Sequence, residues 1–263
     1  MMISLETNKC ENNNQKKIAS LIRKSNSLVR KGRFEEAINA VNEAISLDPN
    51  CPKSHIQLAN IYKNNNEIAL AVECMQKALE IEPENTSLQE ELFSVLLELG
   101  RYDETLKISK RCLDVSPRNL MALDAMAVAY LQKGLLDKAL KIINRMIALC
   151  PMDPINFYKK ATLLQQKGEI TKAMAAFLQA LEMDPTGELA NEARDAITSL
   201  DSYQLKQVLT IALEDSVFRA KLILDMENAL IERGFLLSPG GIAILKQIDM
   251  QTLPIDSEHK YYN

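Results

Sequence analysis

The chain of 263 residues has no tryptophan, only two histidines and only eight glycines. His55 and His259 stand far apart, so a Cys–His or Ser–His catalytic pair has little to be built from. No glycine-rich phosphate loop of the form G-x-x-x-x-G-K-[ST] occurs. Cys10, Cys51, Cys74, Cys112 and Cys150 are odd in number and contain no C-x-x-C pair, which argues against both a disulfide framework and a zinc site. No apolar run reaches the roughly 18–20 residues that cross a bilayer. The opening stretch MMISLETNKCENNNQKK also lacks the apolar core of a signal peptide. An excess of basic charge is missing too. The formal charge is −4 with 25% charged and 47% hydrophobic residues, which disfavours nucleic acid and membrane surfaces as partners. Paired acids such as Glu35-Glu36 and Glu90-Glu91 read as solvated helix surface rather than as a general acid and base. The expectation is a cytoplasmic, non-catalytic protein with no cofactor and no metal, whose partners are proteins or peptides.

What the chain does contain is a period. Proline closes a helical segment at Pro49, Pro83, Pro117, Pro151 and Pro185, each 34 residues after the last. Seventeen residues before each stands Gly32, Asn66, Gly100, Gly134 or Gly168, and five after that stands Ala37, Ala71, Thr105, Ala139 or Ala173. A tight turn after a helix needs a residue at positive φ, which glycine tolerates best and asparagine next best. Small residues at Ser25, Ala59, Ala127 and Ala161 let helix axes approach, while Leu28, Tyr62, Leu96, Tyr130 and Leu164 fill the space between. Proline ends the second helix because it lacks the N–H and disfavours helix in its predecessor. Each unit is therefore a helical hairpin. The third departs most: Phe93 stands where a small residue is expected, with Thr105, Ser109 and Cys112 across from it, so large and small have traded places. Cys74 and Cys112 fall on core-facing positions and act as small hydrophobes.

Five in-register hairpins of this spacing, from LIRKSNSLVRKGRFEEAINAVNEAISLDPN through FYKKATLLQQKGEITKAMAAFLQALEMDP, resemble the tetratricopeptide repeat (TPR) family. The resemblance implies an all-α fold, a right-handed superhelical TPR solenoid, with first helices lining a concave peptide-binding groove. Carried onto matching positions, the groove holds Arg23, Asn26 and Arg30 in the first unit and Lys53, Asn60, Lys63 and Asn64 in the second. Glu90 and Ser94 follow in the third, and Tyr158 in the fifth. Its N-terminal end is basic and rich in amides, suited to a peptide with acidic residues. A subclass of TPR domains grips the C-terminal carboxylate of chaperones with a clamp of Lys, Asn and further basic residues. The corresponding places hold Ile22, Asn26, Gln57, Ser87 and Glu91, so that clamp is missing.

After Pro185 the period stops. GELANEARDAITSL reads as one amphipathic capping helix, Leu200-Asp201-Ser202 as a junction, and the following residues as short helices, the last with Ser238 as N-cap and Pro239 at its first position. The expected organisation is a mobile tail over 1–17, five repeats over 18–187, a capping helix over 188–201, a small C-terminal helical bundle over 202–254 and a mobile tail over 255–263. The stretches VFRAKLILD, NALIERGFLLS and AILKQIDM resemble the helical domain of the nitrile-hydratase-like leader clan. That resemblance implies a docking module, and an alternative role as a substrate-presenting component of a modifying enzyme complex. The bundle is rich in apolar residues for its size. Phe235, Leu236, Leu237, Ile244, Leu245 and Ile248 are expected to meet the last repeat, a partner or, by self-association, another copy of the chain, and removal of the bundle is expected to leave the repeats folded.

Overall fold

The computed structural model describes the backbone of residues 2–251 and the side chains of 13–251, so the expected tail over 255–263 lies outside the described residues. The described residues form fourteen α-helices and no strand. Helices α1 (Met2–Val29) and α2 (Phe34–Leu47), α3 (Pro52–Asn64) and α4 (Ile68–Ile81), and α5 (Thr86–Glu98) and α6 (Tyr102–Val115) are the first three repeats. The remaining repeat helices are α7 (Leu120–Gln132), α8 (Leu136–Leu149), α9 (Pro154–Gln166) and α10 (Ile170–Met183). Two compact units divide the chain at the turn of the fourth repeat, the first ending at Lys133 and the second beginning at Gly134.

The turns form as the sequence dictates. Gly32, Gly100, Gly134 and Gly168 take φ of 68–75°, and Asn66, the one substitute, takes 63°. The residue after the turn then donates to a carbonyl five residues back, Arg33 to Leu28, Glu67 to Tyr62, Arg101 to Leu96 and Glu169 to Leu164, which closes the helix end. Ala37, Ala71, Thr105, Ala139 and Ala173 are each 0% exposed, because at these points a hairpin has no room for more than a small side chain. Phe93 is 3% exposed in one cluster with Leu96, Ile108 and Cys112, while Thr105 and Ser109 are fully buried.

The first helices of repeats three to five are capped alike: Asn85, Asn119 and Asp153 accept from the backbone N–H of Leu88, Ala122 and Ile155. The equivalent Cys51 before α3 makes no such bond. His55 is buried with Nε2 at 2.8 Å from the carbonyl of Pro49, and Gln89, one repeat on, donates to the carbonyl of Pro83. The histidine thus ties the proline corner of its own repeat. Side chains also staple repeats at one fixed position, Lys133 to Asp103 in the first unit and Lys167 to Asp137 in the second.

Two expected boundaries are corrected. The tail over 1–17 is helical from Met2, as the start of α1. No proline or glycine interrupts residues 2–17, and a helix anchored by the buried Ile18, Leu21 and Ser25 propagates backward at the gain of one backbone hydrogen bond per residue. The break expected at residues 200–202 is also absent: α11 runs without interruption from Ala190 to Glu214. Asp201, read as a junction residue, is instead 5% exposed and accepts from both the backbone N–H (2.9 Å) and the hydroxyl of Ser238. Capping helix and bundle are therefore one continuous piece.

Helices α12 (Ser216–Leu224), α13 (Met226–Glu232) and α14 (Pro239–Lys246) complete the bundle around Val208, Phe218, Leu222, Leu230 and Leu245. Ser238 caps α14 by accepting from the Gly241 N–H at 3.1 Å, with Pro239 at the first helical position as expected. The bundle is fastened to the last repeat. Leu236 packs into the cluster that holds Met174, Phe177 and Ile197. Gln204 exchanges two hydrogen bonds with the Leu236 backbone, at 2.7 and 3.0 Å, and the Thr171 hydroxyl donates to the Gly234 carbonyl at 2.6 Å.

Candidate peptide-binding face

The first helices of the repeats put apolar residues into the hairpin cores and leave one polar row outward. In the first unit Arg23 and Asn26 on α1, Arg30 in the turn just after it, Lys53 and Asn64 at the two ends of α3, and Glu90 and Ser94 on α5 are exposed, with Asn60 and Lys63 half-buried. The structure brings part of this row together. The Gln57 amide donates to Asn26 Oδ1 at 2.9 Å, linking α3 to α1, so the Asn26 carbonyl is used and its NH2 is left for a partner. Asn64 Nδ2 donates to the Asn60 carbonyl at 2.7 Å and Ser94 to Glu98 at 2.9 Å, each within its own helix.

The expected basic end is narrower than the sequence suggests. Lys63 forms an ion pair with Glu91 of α5, a link between consecutive repeats, and is not a free cation. Arg23, Arg30 and Lys53 have no ion-pair partner among the described residues and carry the positive character of the face. Glu91 occupies a place where the chaperone-tail clamp needs a base, and its engagement with Lys63 fixes it there.

In the second unit Tyr158 is half-buried on α9, its ring edge-on to Phe177 with centroids 5.5 Å apart and planes at 71°. The second helix of the hairpin thus sets the angle of a ring whose other side faces outward. The six apolar residues proposed for docking are mostly internal. Leu237 and Leu245 are buried in the bundle core, so neither is available to a second molecule. Phe235 and Ile248 pack on the same core, Leu236 packs on the last repeat, and Ile244 alone among the six is about half exposed, at 52%.

The thiols do not point to chemistry. Burial pushes Cys74 up to about 11 and raises Cys112, which keeps both protonated at neutral pH. Cys51, Cys74, Cys112 and Cys150 are free. Among the described residues no group of three or more His, Cys, Asp or Glu could hold a metal ion, and no helix is long and apolar enough to cross a membrane. Sequence reasoning missed the pairs that knit adjacent repeats, Asn26 with Gln57 and Lys63 with Glu91. The available signal was their separation of 31 and 28 residues, a few short of the period, which is where neighbouring first helices face each other.

A model of the tetratricopeptide repeat family matches residues 51–183, half of the chain, and a second TPR repeat model matches residues 26–66. The chain belongs to the tetratricopeptide repeat family. No curated protein matches it in sequence. Among solved structures it is similar to MamA from Desulfovibrio magneticus RS-1, at 20% identity over 65% of this chain and 97% of that one with a TM-score of 0.50. It is also similar to YrrB, described as a TPR protein with an unusual peptide-binding site, at 22% identity over 72% of this chain and 97% of that one with a TM-score of 0.52. These likenesses show the TPR fold, and proteins of that fold mediate protein–protein interaction.

Proposed function

We propose that the chain is a non-catalytic cytoplasmic scaffold that holds an extended segment of a partner protein against the outward face of its first helices. The observation that carries this reading is the polar row of the first unit, in which Asn26 and Asn60 stand one repeat apart. Arg23 and Arg30 flank the first of them, and Lys53 and Asn64 lie at the two ends of the helix that carries the second. The Asn26 NH2 can donate to a C=O of an extended backbone, the Asn60 amide can both donate and accept, and the bases without an ion-pair partner suit acidic side chains beside it. The alternative of a leader-like component of a modifying complex has less support from the six docking candidates, of which Leu237 and Leu245 are buried and only Ile244 is exposed, although Val217, Ile223, Leu224 and Ile231 of the bundle are exposed as well.

The test is titration of the full chain with a fluorescein-labelled Asp/Glu-rich dodecapeptide. Exchanging Arg23 and Arg30 for Glu should weaken its binding about tenfold or more while thermal stability is unchanged, because exposed charges add little to folding. Equal affinity in both proteins would remove the site from this face.

A further inference from the structure

We propose that a cleft in the second unit, formed by α9, α10 and the start of α11, receives a lysine or arginine side chain from an extended partner segment. The inference rests on the peptide-binding reading above and specifies a chemistry that the sequence analysis did not assign.

The cleft has a volume of about 400 Å³, within the roughly 300–1,000 Å³ of small-ligand sites. Its apolar side includes Tyr158, Leu181, Leu189 and three small residues, Ala180, Ala190 and Ala193, whose lack of bulk keeps it open. Its polar lining carries three carboxylates, Asp153, Asp184 and Glu188, and no base. Asp153 is held at the start of α9 by the Ile155 N–H and the Asn156 amide, at 3.0 and 2.9 Å. Asp184 lies against Gly187, where a Cβ would stand 1.9 Å from Oδ2, so this glycine is what lets the carboxylate sit there. Among the described residues neither Asp184 nor Glu188 has an ion-pair partner.

An apolar wall beside unpaired negative charge matches a side chain with an apolar stem and a cationic head. The stem of Lys or Arg covers hydrocarbon while its head stays at the wet end. Three like charges around one concavity raise the local concentration of such a head and repel an acidic segment. The second unit therefore selects the opposite sign of charge from the basic face of the first.

The experiment uses the full chain and three labelled Gly/Ser decapeptides that carry a central Leu-Arg, Leu-Gln or Leu-Glu. The Leu-Arg peptide should bind best, shift the amide resonances of the residues that line the cleft and lose about tenfold in affinity in D184N/E188Q, the effect of two partly exposed charge pairs. Both substitutions are isosteric and exposed, and an unchanged melting temperature verifies that the fold is kept. Equal binding of the Arg and Gln peptides, unaltered binding to D184N/E188Q, or shifts that map elsewhere would overturn the proposal. The acidic dodecapeptide is titrated in the same samples. If it binds while the Arg peptide does not, this inference alone fails; if neither binds, the scaffold reading fails with it.

Discussion

At the scale of the residue, the repeat is held by a few positions whose size or backbone angle is fixed, and exceptions are tolerated when a neighbour compensates. Phe93 is the largest exception. Its ring takes a place given to small side chains in the other repeats, and Ser109, fully buried where the other repeats carry Val41, Met75, Ile143 and Phe177, supplies the room on the second helix of the hairpin. Phe93→Ala should lower the unfolding free energy by about 3–5 kcal/mol, read from denaturant melts, because the surrounding helices cannot close on the cavity. Cys51 is an exception without compensation, since it sits where Asn85, Asn119 and Asp153 cap the next three first helices. Its backbone is already extended, at φ −81° and ψ 103°. Cys51→Asp should therefore add about 1 kcal/mol in the same melts. These positions were legible in the sequence because each is fixed by local geometry: a glycine or asparagine at positive φ and a proline at a helix end leave the same mark wherever they occur. Groove chemistry was less so. Lys63 reads as a free base in sequence and is an ion pair in space, since only the fold reveals which residue of the next repeat lies beside it.

At the scale of the element, carboxylates in the connections and first turns tie helices together, and this sets the response to acid. Hydrogen bonds from Lys167 and then Lys172 hold Glu169 down to about 2, from an ordinary value of 4.5. A hydrogen bond from Arg101, aided by Gln76, lowers Glu104, and the Phe218 and Val217 N–H groups, with Arg233, lower Asp215. A carboxylate whose folded value is depressed contributes stability that is complete above its unfolded value and is lost as pH falls toward the folded one. The melting temperature should thus decline as pH drops from about 4.5 toward 2, less steeply at high salt because Glu169 is solvent-accessible. Glu169→Gln should flatten part of that slope. A slope identical in the variant would assign the acid response to other groups. Helix α11 shows where element boundaries escape a sequence reading. Leu200-Asp201-Ser202 has the composition of a junction, yet the Asp201 carboxylate is a buried acceptor for Ser238, and a long-range bond of that kind leaves no local trace.

At the scale of the whole molecule, the C-terminal bundle is part of how the repeats end rather than a separable module. Deleting residues 202–263 would cut α11 in half and strip Leu236 and the Gln204 and Thr171 contacts from the last repeat. The truncated chain should lose more helical signal in circular dichroism than the deleted residues account for, and hydrogen exchange should show α9 and α10 opening first. Full retention of their protection would restore the separable-module reading. The position of Thr171 carries a further consequence. It stands in register with Asp103 and Asp137, which accept the lysines of the following repeats, but it bonds instead to the carbonyl of Gly234. A head-to-tail repeat contact is heterologous, so nothing in its geometry limits how many hairpins can add, and an uncovered last hairpin would welcome the first hairpin of another chain. At this position the bundle's own backbone takes the place that the next repeat's lysine takes at Asp103 and Asp137, so the side chain that would greet a following hairpin is already engaged within the chain.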